Sequence, residues 1–161
     1  MPMLGICFGF QLAIVEFARN VCKLEGANST EVDPYTKYSV IDLLPEQKNI
    51  EAKGGTMRLG AYEIRIIKGT LAYEIYKQEI VKERHRHRYE INPKYYDILQ
   101  QKGLVFSGFS LDNLVEIAEI KDHFYFLTQA HPEFKARVLK PSPPYYAFIN
   151  YLIENKTNKR K

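Results

Sequence analysis

The sequence predicts an α/β domain, and three observations carry that reading. Gly5-Ile6-Cys7-Phe8-Gly9 has the pattern of a strand that turns sharply into a helix. Short β-patterned runs then alternate with helical stretches along the chain. Over 161 residues, apolar types make up 45% and charged types 26%, a balance that lets a chain of this length bury one core.

In order, Met1 to Ile6 supplies the strand and Cys7 the turn. Gly5 and Gly9 flank Cys7 where a Cβ is expected to collide with the neighbouring strand or helix. Gln11 to Lys23 follows helical spacing, with Leu12, Val15, Ala18, Val21 and Cys22 on one stripe and Glu16, Arg19, Asn20 and Lys23 on the other. Gly26 stops it. Asn28 to Lys37 is a polar loop with a turn at Asp33-Pro34. Val40 to Leu44 is a short apolar run ended by Pro45, and Glu46 to Lys53 is a polar connection. Met57 to Ile67 carries β signals around Gly60, and Gly69 closes it. Leu71 to Tyr76 makes one or two helical turns, and Ile80 to Ile91 alternates as a strand. Asn92-Pro93 opens a helix through Gln101 that Gly103 caps. Leu104 to Phe109 and Leu114 to Ile120 form a hairpin across Leu111-Asp112-Asn113. Phe124 to Gln129 is a strand leading to His131. Ser142 is expected to cap a last helix, with Pro143 in its first turn, running to about Glu154. Residues 1–154 read as one domain and 155–161 as a basic, frayed tail.

Bulk properties narrow the setting. The net charge of +4 suits an anionic ligand without requiring one. Two cysteines, Cys7 and Cys22, are too few for a disulfide framework and point to a reducing, cytoplasmic location. No apolar run reaches the length of a membrane span, and Met1-Pro2-Met3 does not open a signal peptide.

Cys7 is the leading candidate for chemistry. At a helix N-terminus the dipole and free N–H groups favour a thiolate. The bland alternative is a buried free cysteine, which describes Cys22 on its apolar stripe. His131-Pro132-Glu133 supplies the matching base. Residues two apart in an extended segment face the same side, Pro132 keeps the pair extended, and a carboxylate beside an imidazole fixes its tautomer. Alone, that histidine would read as structural.

Arg84-His85-Arg86-His87-Arg88 is the densest basic run. The bland reading is a solvated strand edge. A nucleic-acid surface is disfavoured because no aromatic platform or second basic stripe accompanies it. Zinc binding through His85 and His87 lacks a cysteine pair or matched spacing, so no metal is assigned. An arginine there can instead grip a substrate carboxylate. The glycine-rich Gly54 to Gly60 stretch lacks the Lys-Ser/Thr ending of a phosphate loop. It fits an anion cradle or an ordinary turn equally well.

Together these segments resemble the class I glutamine amidotransferases. Gly5 to Gln11 and His131-Pro132-Glu133 match the triad of that family in general. Glu16 to Asn20, Ala27 to Glu31, Gly54 to Gly60 and Glu83 to Glu90 narrow the resemblance to the amidotransferase domain of CTP synthases, from Met3 to about Ile153. The resemblance implies a three-layer, flavodoxin-like fold with Cys7 at the carboxyl end of a strand in a parallel sheet. It implies Cys7 as nucleophile with His131 and Glu133 as its partners. It places glutamine against Phe8, Gly9, Phe10 and Gln11, with Glu31 and Arg88 as polar contacts and the Phe8 N–H as an oxyanion donor.

The implied reaction is glutamine hydrolysis through a thioester on Cys7. The ammonia then aminates ATP-activated UTP on a separate synthase domain, with Mg, with GTP as activator, and in a homotetramer. The Gly54 to Gly60 loop and the arginines near Arg86 are implicated in the GTP response. No cofactor is expected within these residues.

Departures accompany the match. Phe8 and Phe10 stand where relatives more often carry Leu and Met, and Ala130 replaces a bulky aromatic before the histidine, loosening one wall of the site. The chain also opens at the elbow, so the expectation is an N-terminally incomplete domain, weak or inactive alone, with Leu4 and Ile6 exposed at an unpaired edge. Two rivals stand beside this reading. One is a free-standing class I glutaminase or γ-glutamyl hydrolase. The other is a catalytically inactive remnant or pairing partner.

Overall fold

The computed structural model describes residues 1–43 and 57–158. Nine strands and four α-helices are defined among them. Strand β1 (Met3–Ile6) leads through Cys7 into α1 (Phe8–Asn20). Two short strands follow, β2 (Asn28–Ser29) and β3 (Ser39–Asp42). Then come β4 (Arg58–Ile66), α2 (Leu71–Tyr76), β5 (Ile80–His87) and β6 (Glu90–Ile91). A 3-10 turn, Pro93–Tyr95, runs into α3 (Tyr96–Gln101). The chain ends with β7 (Leu104–Phe109), β8 (Val115–Ile120), β9 (Tyr125–Thr128), a 3-10 turn at Pro132–Lys135 and α4 (Pro143–Asn158). The expected Glu46 to Lys53 connection, Pro45 and the Gly54 to Thr56 part of the glycine-rich loop lie outside the described residues, as do the last three of the tail.

The main sheet has six strands in the order β1-β9-β8-β7-β4-β5. Only the β1–β9 pair within it is parallel. The other four pairings are antiparallel. The sheet is therefore mixed rather than parallel, because the turn at Asn113 and the α2 segment between β4 and β5 each return the chain antiparallel to the strand it has just left. A second sheet, β2-β3-β6, sits beside it.

Helices cover both faces of the main sheet, which gives three layers. One apolar cluster gathers Phe10, Ile14 and Phe17 of α1, Leu99 of α3, Phe106, Ala118 and Leu127. The other gathers Ala72 and Tyr76 of α2, Ile64, Ile117 and Phe126, with Phe148 and Tyr151 of α4 packed on it. The strand pleat explains the division: neighbours such as Ile117 and Ala118, or Phe126 and Leu127, point to opposite faces.

Several local expectations shift. Helix α1 begins at Phe8, and Leu12 and Val21 lie on its exposed side, whereas Phe10, Ile14 and Phe17 carry the buried face. Ile80 to Ile91 divides between two sheets, with β6 leaving to pair with β3. Helix α4 runs on through Asn158, and the Ser142 hydroxyl does not cap it. The reason is chemical. Pro144, at the second helical position, offers no N–H to receive a cap, and the Ser142 carbonyl accepts the first helical bond from Tyr146 N. Leu4 and Ile6 are half-buried rather than exposed, with Leu4 packed on the second cluster.

Candidate functional site

Strand β1 lies parallel to β9, with Ile6 opposite Thr128, and the Cys7 N–H donates to the Thr128 carbonyl at 2.8 Å. The two strands thus deliver Cys7 and the His131 segment from adjacent carboxyl ends. Cys7 itself has φ 51 and ψ −107. A side-chain-bearing residue held at positive φ is strained, and here the strain lifts the sulfur out above the start of α1. Gly5 behaves as expected, since a Cβ there would come within 2.5 Å of Leu127 Cδ2 and 3.3 Å of the Gly9 carbonyl oxygen. Gly9 does not: no atom lies within 4 Å of where its Cβ would stand. It sits inside the first turn of α1, where its backbone carbonyl, not its Cβ position, faces β1.

The Cys7 sulfur has a divided environment. Its Sγ–H donates toward the Arg86 carbonyl at 3.8 Å, and it accepts from Gln129 Nε2 at 3.8 Å. Burial pushes the thiol pKa up. The Phe8 N–H opposes that rise, the negative charges of Glu133 and Glu31 add to it, and the Gln129 amide opposes it. The expectation of a helix-favoured thiolate is thus met only in part, because desolvation outweighs the helix terminus in the resting protein. Cys22 is buried and donates toward the Ile98 carbonyl, away from this region.

His131 precedes the 3-10 turn Pro132–Lys135. Its Nδ1 lies 2.6 Å from Glu133 Oε1, and its ring stacks on Phe134. The pairing is as expected, but the segment is a turn rather than extended, because proline's fixed φ suits the first position of a helical turn. The His131 N–H is held by the Arg84 carbonyl at 2.7 Å, and the Lys135 ammonium pairs with buried Glu83 at 3.1 Å. Ala130 is fully buried in the second cluster and does not line the cleft.

A cleft of about 430 Å³ is lined by Cys7, Phe8, Gln11, Glu31, Arg88 and neighbours including Arg86, Met57 and Tyr89. Four of the residues singled out from sequence thus join Cys7 at one cavity. Gly9, Phe10, His131 and Glu133 are not among its lining, and the Phe10 side chain is fully buried in the first cluster.

The basic run is only half solvated. On β5, Arg84 and Arg86 face outward while Glu83, His85 and His87 face inward. Behind the cleft they meet Glu116, Glu90 and Arg58. Arg58 binds Glu116 at 2.7 Å and approaches Glu90 at 3.6 Å. His85 Nδ1 lies 3.0 Å from His87 Nε2, and His87 Nδ1 lies 3.2 Å from the Tyr89 carbonyl. A carbonyl only accepts, so His87 carries its proton on Nδ1 and accepts from His85 Nδ1–H. Both rings are then neutral. Burial depresses them accordingly, His85 to about 4 and His87 to about 3. Burial raises the carboxylates, Glu116 to about 7 despite Arg58, and Glu90 well above its ordinary range. Donor atoms of His85, His87 and Glu116 come within 4.8 Å of one another. The Arg58 guanidinium bound to the same carboxylate disfavours a cation there.

Sequence reasoning missed this network and missed Gln129, a fully buried amide touching the Cys7 sulfur. One signal was readable. Gln129 is a polar residue closing the apolar strand that leads to His131.

Comparison with known proteins gives the chain its relatives. The family model described as glutamine amidotransferase class-I matches residues 1–151. A CTP synthase of Caldanaerobacter subterraneus is 59% identical over 160 residues, which cover 98% of this chain and 30% of that protein. A CTP synthase of Methanocaldococcus jannaschii is 63% identical over 145 residues, covering 89% and 27%. Among solved structures, the glutaminase domain of Trypanosoma brucei CTPS with bound acivicin superposes with a TM-score of 0.89 at 34% identity, covering 95% of this chain and 60% of that one. The chain spans about 30% of the length of the curated relatives that head the comparison.

Proposed function

The chain belongs to the class I glutamine amidotransferases, and from that membership we propose that it is the glutamine-hydrolysing part of a CTP synthase. The observation that carries the reading is the strained Cys7 elbow, set on a strand adjacent to the one that leads to the His131–Glu133 pair. Glutamine enters the cleft with its carboxylate on Arg88 and its ammonium on Glu31, which both line it. The Cys7 proton passes to His131, and the thiolate attacks the side-chain amide. The Phe8 N–H, now aimed at the sulfur, serves the oxyanion. Imidazolium His131, held by Glu133, protonates departing ammonia and then activates the water that cleaves the thioester. Gln11 Nε2 is committed to Tyr89 and Gln129, and its buried Oε1 has no partner among the described residues.

In the full scheme ammonia moves to a synthase domain, where UTP activated by ATP with Mg is aminated to CTP in a homotetramer. GTP stimulates the glutaminase through the arginines near Arg86 and the Gly54 to Gly60 loop. None of the described residues is assigned a nucleotide contact or a metal. The CTP-synthase relatives favour this over a free-standing glutaminase or γ-glutamyl hydrolase. Two free cysteines support a cytoplasmic setting. No helix among the described residues is long and apolar enough to cross a membrane.

Ammonia release from glutamine, measured with the chain alone and with a CTP synthase polypeptide carrying this segment, tests the proposal. Glutamine-dependent CTP formation that persists after Cys7→Ala in the longer polypeptide would overturn it. Ammonia-dependent CTP formation is expected to survive that change.

A further inference from the structure

Gln129 makes a contact that the reaction as described does not use. Its side chain is wholly buried and its Nε2 lies 3.8 Å from Cys7 Sγ. The orientation of that amide follows from its neighbours. Gln11 places Nε2 3.0 Å from the Tyr89 carbonyl, and a carbonyl accepts only, so the nitrogen end of Gln11 must face it. The second N–H of the same nitrogen reaches Gln129 Oε1 at 3.1 Å. With its oxygen taken, Gln129 can present only N–H groups to the sulfur. His87 donates to the same Tyr89 carbonyl, so this acceptor is held from both sides.

We propose that Gln129 contacts the reacting sulfur to stabilise the Cys7 thiolate, and that Gln11 is the positioning residue that fixes its orientation. The proposal rests on Cys7 being the nucleophile. In the resting protein the thiol proton points at the Arg86 carbonyl. When it passes to His131, that S–H contact is lost and the N–H contact from Gln129 becomes charge-assisted. The gain therefore accrues to the charged nucleophile, in a site whose burial and nearby carboxylates otherwise oppose it.

The test is the pH profile of Cys7 alkylation by iodoacetamide, with the Cys7 adduct quantified by mass spectrometry, in the wild-type chain and in Gln129→Met and Gln11→Met. Removing the donor should raise the midpoint by about half to one pH unit and slow alkylation about three- to ten-fold below it, with the high-pH plateau unchanged. Gln11→Met should shift the midpoint the same way by less. A purely structural role would lower the plateau or the melting temperature and leave the midpoint in place. Unshifted midpoints in folded variants overturn the proposal. Should Gln129→Met fail to fold, an unshifted Gln11→Met does so. Failure of the glutaminase reading looks different: no ammonia release from wild type, with the midpoint shift intact.

Discussion

The buried pair of histidines and pair of glutamates behind the cleft predicts an unusual pH dependence of stability. Unfolded, the histidines titrate at their ordinary 6.5 and the glutamates at 4.5. Folded, the histidines stay neutral down to about 4 and about 3, while Glu116 holds its proton up to about 7 and burial raises Glu90 well above its ordinary range. Between pH 4.5 and 6.5 the unfolded chain therefore carries two protons on the histidines, and the folded chain carries two on the glutamates. Their proton counts match, so this cluster leaves stability flat there.

Above pH 6.5 the unfolded chain has released its protons and the folded chain has not. Stability then falls as pH rises towards 7, where Glu116 ionises, by about 1.4 kcal/mol per unit for each proton the folded chain retains. Below 4.5 the unfolded glutamates protonate while the folded histidines do not, and stability falls again. Urea unfolding followed by circular dichroism from pH 4 to 8 reads the curve. Other groups add their own slopes, which cancel on comparison with Glu116→Gln. That variant keeps an acceptor for Arg58 but loses one folded-state proton. It should turn the plateau into a rise of about 1.4 kcal/mol per pH unit and halve the initial decline above 6.5. Identical slopes for the two proteins across 4.5 to 7 would show that Glu116 is ionised in the folded state, and would refute the reasoning.

Four further outcomes are expected. A diazo-ketone analogue of glutamine should label Cys7 and spare Cys22, as peptide mapping will show; preferential labelling of Cys22 would move the nucleophile. In a polypeptide with both activities, Arg88→Ala should raise KM for glutamine about ten-fold or more and leave ammonia-dependent turnover largely intact, whereas equal loss of both would make Arg88 structural. Glu133→Gln should lower glutamine-dependent kcat by about two powers of ten or more, because the 2.6 Å contact then no longer fixes the His131 tautomer; a loss confined to KM would contradict this. Glu119→Ala should cost about 1–3 kcal/mol in denaturant unfolding without touching the cleft, because its buried carboxylate receives the Leu71 and Ala72 N–H groups at 2.8 and 3.0 Å and caps α2.

Features that are local in the chain were legible in the sequence. The elbow is local, since its two flanking glycines and the helix behind them sit within a few residues of Cys7. The His131–Glu133 pairing is local too, although a 3-10 turn and not the expected extended segment brings the two groups together. Hairpin and helix boundaries near Asn113 and Pro93 followed from turn and cap chemistry. Sheet direction was not legible, because parallel and antiparallel neighbours share the same alternation and the deciding partners lie far apart. The buried polar network escaped for a related reason. A run such as Arg84 to Arg88 alternates charge with charge rather than polar with apolar, so its pattern gives the period but not which face goes inward. Only the tertiary partners Arg58, Glu90 and Glu116 settle that the histidines face inward.

Strand β5 then does more than bound the sheet. Its odd-numbered residues exchange backbone bonds with β4, so the carbonyls of Lys82, Arg84 and Arg86 point off the free edge. Each is taken by the elbow or by the 131–135 segment: Lys82 by the Lys135 ammonium, Arg84 by the His131 N–H, and Arg86 by the Cys7 thiol. The edge that a sheet must otherwise protect becomes the ruler against which Cys7 and His131 are set. A slip of one residue along β4 would turn His85 and His87 to solvent, bury the arginines, and misplace all three carbonyls at once. The polar network behind the cleft therefore acts on catalysis through register. Weakening it through Arg58, Glu90 or Glu116 should loosen the Cys7–His131 geometry before it unfolds the domain.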